Sequence, residues 1–130
     1  MDSLSAQEKS WIAPLPIEFD INLPGYKSMM GMQGGHAGEK MPKAQAIKDA
    51  TMAYFINKNR KENSIFVHYN GTYHSDNYEG INWYLRKLDS EIKIITIATV
   101  EQKDISKLEA EHYNKADFIL VIDEDVTKTY

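Results

Sequence analysis

The sequence predicts an α/β fold, a three-layer arrangement around a mainly parallel sheet, and three observations lead there. Two β-branched runs, residues 92–98 and 117–122, and one nearly continuous apolar run, residues 64–69, alternate with segments of helical period. The resulting order is β-α-β-α-β, which calls for parallel strands joined by right-handed crossovers. The third observation is composition: 130 residues, 42% apolar and 26% charged, are the balance of one globular domain or part of one.

The chain divides at about residue 42. All four prolines, five of seven glycines and five of six methionines lie before it, so residues 1–42 are expected to be irregular and to pack on the rest. Within them, Ser5 and Glu8 have the spacing of a capping box, which predicts a short helix ending before Pro14. Pro24 opens a second short helix whose methionines form its buried side. Residues 43–130 hold the helix and the β-α-β-α-β unit. Pro42 stands at the first helical position, and Ile47, Ala50, Thr51, Tyr54 and Phe55 recur at i, i+3, i+4, i+7 and i+8, so a helix is expected to stop near residues 57–59. Residues 64–69 read as a strand covered on both faces, which makes His68 a core histidine. Residues 80–88 fit a helix, and Asp104 caps another running to Tyr113. Three strands make a small sheet, so the domain is expected to be incomplete, the C-terminal half of a larger unit or a subunit that pairs with another chain as a homo-oligomer.

Charge and residue types exclude several classes. Fifteen Lys and Arg against nineteen Asp and Glu give a net charge of -4, which argues against a cationic surface for nucleic acid. The absence of cysteine removes disulfides, thiolate catalysis and Cys-ligated metal. Residues 1–14 carry charges and no apolar run, so no signal peptide is read there.

Ligand sites of parallel sheets gather beyond the carboxyl ends of the strands, and there the sequence places Asn70-Gly71-Thr72-Tyr73-His74-Ser75-Asp76-Asn77-Tyr78-Glu79-Gly80. His74 is the candidate metal ligand or general base, with Asp76 placed to orient it. The competing reading has both residues holding a turn. His36, in the loop Gly34-Gly35-His36-Ala37-Gly38, could approach a ligand, and Tyr26, Tyr69, Tyr73, Tyr78 and Tyr84 could stack on or ligate a cofactor, since haem accepts tyrosinate; spacing alone selects none of them. The glycine-rich loop lacks the pattern of a nucleotide site. His112, near a predicted helix end, reads as a favourable charge there.

Several of these segments, in order, resemble the C-terminal half of the ChaN-like haem-binding uptake family: Pro14-Leu15-Pro16-Ile17, Leu23-Pro24-Gly25-Tyr26, Gly34-Gly35-His36, the A-Q-x-x-x-D-x-x-M-A run over residues 44–53, and the G-x-x-H loop from Gly71 to His74. Residues 117–130 look like the family's tail. The resemblance implies an α/β protein that binds haem between two subunits, is often a lipoprotein of the cell envelope, and serves iron uptake. It also implies kinship with Tiki-type metalloproteases and erythromycin esterases, in which paired histidine motifs hold a divalent metal. Only the second motif, residues 71–74, is present here; the first, G-E-x-H, belongs to an N-terminal half. The alternative function is accordingly a metal-dependent hydrolase half-site built on His74 and Asp76, with haem-binding contacts at His36, Tyr73, His74 and Tyr78 under the first reading.

Overall fold

A computed structural model describes residues 3–30 and 38–127. Four helices come first: α1 (Ala6–Lys9), α2 (Pro24–Met29), α3 (Lys40–Asn59) and α4 (Ile81–Leu88). Two strands follow, β1 (Ile97–Gln102) and β2 (Phe118–Asp123), paired in parallel with Ile97 opposite Phe118 and Gln102 opposite Asp123. Single 3-10 turns occupy Thr72–His74, Asp76–Tyr78 and Ala110–His112.

The local signals in the first half produce what they encode. Ser5 Oγ accepts from Glu8 N–H while the Glu8 carboxylate accepts from Ser5 N–H, closing the capping box of α1. Pro24 starts α2, and Tyr26 and Met29 are its buried residues. Helix α3 begins at Lys40, two residues ahead of expectation, and Pro42 is accommodated because the first turn needs no N–H donors. Its buried face is not the predicted stripe but Pro42, Ala46, Asp49, Ala50 and Ala53; Ile47, Thr51, Tyr54 and Phe55 are half-buried. Small residues win that face because α4 lies against α3, and methyl side chains let the two backbones approach. Ile81, Tyr84 and Leu85 of α4 close the core with Tyr26, Met29 and Ala13.

The second half departs further from expectation. Residues 64–69 form no strand among the described residues, and Ile65 and Tyr69 are 91% and 90% exposed. His68 is exposed too, so it is not a core histidine. An apolar run records that burial is favourable, not that an element of the same chain supplies it. Among the described residues the sheet therefore has two strands, a mixed helix and strand arrangement consistent with α/β in which the expected three layers are not seen. β1 alternates in burial, with Ala98, Val100 and Gln102 covered and Ile97, Thr99 and Glu101 outside. The register puts exposed Phe118 and Leu120 beside Ile97 and Thr99 on that outer face.

The helix expected from Asp104 to Tyr113 is replaced by turns. Asp104 Oδ1 accepts from both Ser106 N–H and its hydroxyl, a local bond that competes with helix propagation. The buried Gln102 amide then donates to the carbonyls of Asp104 and Lys107 and accepts from Glu109 N–H, satisfying groups a helix would have paired internally.

Candidate functional site

The loop of residues 71–80 is anchored by polar groups on α3. Gln45 and Asp49, one turn apart, both reach His74: Asp49 Oδ1 lies 2.5 Å from Nδ1, and the Gln45 amide nitrogen 2.7 Å from the same atom. Asp49 is 0% exposed, and its second oxygen accepts from Tyr26 hydroxyl at 2.7 Å. Three elements, α2, α3 and the loop, thus meet at one carboxylate. The Asp49 carboxylate and the Gln45 side chain thus hold the ring by the same edge, at Nδ1. Burial pushes the Asp49 carboxyl above the ordinary carboxylate range, and the bonds from His74 and Tyr26 partly oppose it. Burial, reinforced by Asp49, drives the Tyr26 phenol up, so Tyr26 stays a donor.

Glycine is required where this loop enters α4. Gly80 has φ +54°, and a Cβ there would stand 2.4 Å from the His74 carbonyl oxygen. Asn77 and Tyr78 also lie in the left-handed region, at φ 57° and 61°, a conformation a bulky side chain adopts only when its surroundings impose it. Here Asn77 N–H donates to the Lys115 carbonyl at 2.9 Å, Tyr78 hydroxyl donates to Asp117 at 3.3 Å, and Asn82 donates to the Ser75 carbonyl at 3.1 Å. At the far side, Glu79 accepts from Gly25 N–H at 2.6 Å, tying the loop to the start of α2.

Between α2, this loop and β1 opens a cleft of about 570 Å³. Tyr26 and Val100 supply apolar wall, Tyr73 and Asp76 come from the loop, and Lys115 and His112 border it from the segment before β2. Burial raises the Asp76 carboxyl above its ordinary value, with Lys115 acting in the opposite direction.

The sequence-predicted residues separate on this frame. Tyr73 and Asp76 line the cleft; His74 and Tyr78 are not among its lining residues. Asp76 is not the partner of His74, because the loop's two turns carry it to the Lys115 side while Asp49 takes the imidazole. His36 lies outside the described residues. No role at the site was read for Lys115, nor for Gln45 and Asp49, although these two are the Q and D of the A-Q-x-x-x-D-x-x-M-A run; Tyr26, a candidate cofactor aromatic, serves here as the donor to Asp49. For Asp49 a signal existed: it is the one charged residue on the stripe Pro42, Ala46, Asp49, Ala50, Ala53, and an acid buried there needs partners from elsewhere.

Comparison with known proteins adds one positive finding. The profile of the family described as haem-binding uptake, Tiki superfamily, ChaN, matches residues 1–85, a span that takes in Asp49, the G-x-x-H loop and most of α4 and ends before β1. Residues 117–130, expected to resemble the family's tail, lie outside that span. No curated protein and no solved structure matches the chain. The residues that converge on the buried carboxylate all fall inside the matched span, and the chain belongs to the haem-binding uptake family of the Tiki superfamily, ChaN.

Proposed function

We propose that this chain binds haem in the cleft between α2, the loop of residues 71–80 and β1, with the Tyr73 phenol as the iron ligand. The observation that carries the reading is the position of Tyr73: on the cleft wall, in the loop that His74 and Asp49 anchor, within the span matched by a haem-binding family. The residues present fit the group. A cleft of about 570 Å³ has ligand-site dimensions, Tyr73 on its wall brings a phenol of the kind haem iron accepts, and the Lys115 ammonium offers a counter-charge to propionate. The His74–Asp49 pair acts as the anchor of the loop: it sets the backbone of residues 72–74 and so the direction of Tyr73. Haem is the cargo in this reading, delivered for its iron at the cell envelope, in keeping with an uptake family. The observations favour no hydrolase, since Asp49 rather than Asp76 holds His74 and the cleft is bordered by Tyr73 instead of the imidazole.

The test is titration with haemin, followed by the Soret band and the tyrosinate charge-transfer band. Wild-type chain is expected to bind, and Tyr73→Phe to lose the charge-transfer band and weaken binding by about tenfold or more. A flat titration, or an unchanged spectrum in the variant, overturns the assignment.

A further inference from the structure

Outside the haem-family span, a second group of side chains gathers around His112, at the border of the cleft. The 3-10 turn Ala110–His112 is entered by Glu109, and His112 N–H donates to the Glu109 carbonyl at 3.0 Å. Glu109 immediately precedes the turn in extended conformation, and Glu111 and His112 lie within it. Donor atoms of Glu109, Glu111 and His112 all fall within 4.8 Å of one another, with His112 Nε2 3.7 Å from a Glu111 oxygen. The backbone under them is fixed by Gln102, whose side-chain carbonyl accepts from Glu109 N–H at 3.2 Å.

The imidazole supplies an independent observation. His112 is 7% exposed, and neither ring nitrogen has a hydrogen-bond partner among the described residues. Buried polar atoms are normally satisfied, so an imidazole with two unpaired nitrogens beside two carboxylates lacks a partner of positive charge or strong electrophilicity. The Glu111 oxygen, 3.7 Å from Nε2, is beyond hydrogen-bond reach of the ring. A metal ion supplies such a partner at one of the two nitrogens, Nε2, which stands nearest Glu111. We propose that Glu109, Glu111 and His112 form a divalent transition-metal site, of the kind zinc occupies, with two carboxylate oxygens and one imidazole nitrogen as ligands and the remaining positions left to water.

The donor set decides the class of ion. One nitrogen and two oxygens, without sulfur, suit zinc, manganese or ferrous ions and disfavour both the all-oxygen preference of calcium and copper(I), which takes thiolates. Two carboxylates and a neutral imidazole present two negative charges, which the cation cancels. Tetrahedral ligands at about 2.1 Å from zinc stand about 3.4 Å apart. The present separations close to that value by rotation of the two glutamates, which are exposed and free to turn, around the fixed ring.

The site is tested on the full chain with zinc chloride as the probe, in the absence of haemin, by calorimetric titration and by the ring resonances of the four histidines. Wild type is expected to take up one equivalent and to shift the His112 ring signals. Glu109→Gln with Glu111→Gln, two exposed positions that leave the core untouched, is expected to weaken uptake by at least about tenfold, whereas His68→Gln leaves it unchanged. Undiminished zinc binding in the double variant, zinc that shifts another histidine in place of His112, or no uptake by wild type would each overturn the proposal. Failure of haem binding would leave it standing, because zinc is added without haemin and the two substituted glutamates do not line the haem cleft, which His112 alone of the three borders.

Discussion

The helical region and the strand region solve the problem of burial differently. In the first, α2, α3 and α4 enclose Tyr26, Ala46, Ala50, Ala53, Ile81 and Leu85, and they tolerate a fully buried aspartate because Tyr26 and His74 satisfy it from two directions. In the second, β1 and β2 pair along six residues but cover one face, leaving Ile97 and Phe118 at 72% and 61% exposure. Dense packing around a polar centre makes the helical region intolerant of change. The outer face of the strands has little to lose. Residue for residue the strands are the more hydrophobic, so apolar content alone ranks the two regions in the wrong order.

The comparison breaks first at its polar centre. Asp49→Ala strips Tyr26 hydroxyl and His74 Nδ1 of their acceptor and leaves a cavity, and is expected to cost about 3 kcal/mol, a fall of about 10 °C in Tm. A loss under about 1 kcal/mol in denaturant titration would show that the carboxylate is not the junction of the three elements.

A smaller, pH-dependent effect probes the base of the sheet. Asp117 accepts from Thr96 N–H at 2.7 Å and from its hydroxyl at 2.8 Å, and these bonds hold its carboxyl below the ordinary value of 3.8. A depressed folded-state pKa contributes stability that is present above the unfolded value and fades as pH falls through the folded one. The stability gap between wild type and Asp117→Asn should therefore be present at about pH 6 and shrink at about pH 3. Equal gaps at the two pH values would assign the clasp to geometry and not to charge.

The least effect is expected on the outer face. Phe118→Lys places a charge where the ring already meets solvent, and stability should stay within about 0.5 kcal/mol of wild type. A drop beyond 2 kcal/mol would mean that this face is covered in solution, and sedimentation of the two forms would then show whether a second copy covers it.

Much of the helical region was legible because its signals are local. A capping box needs four residues, Pro24 sets its own dihedral, and α3 announces itself over twenty residues; α1 and α2 start where those rules place them, and α3 starts two residues early. The buried face of α3 was misjudged, since periodicity weighs Ile47 and Tyr54 above alanines and cannot anticipate a neighbour that needs close approach. Residues 64–69 and 104–113 failed for complementary reasons. In the former, strand propensity found no pairing among the described residues; in the latter, a long-range bonding role for Gln102 joined with the Asp104 turn to displace a helix. At the site, the residue types of the loop were readable, and Tyr73 and Asp76 do face the cleft. The partner of His74 was not, because twenty-five positions separate it from Asp49.

Composition, caps, turn residues and the helices of the first half are properties of neighbours along the chain, and for this protein they were available without coordinates. Which nitrogen of His74 meets a carboxylate, which phenol borders the cleft, and why His112 sits unpaired beside two glutamates depend on contacts between distant segments. Those contacts are decided by how helices and strands fill space together, a balance of packing and polar satisfaction that no local window of residues contains.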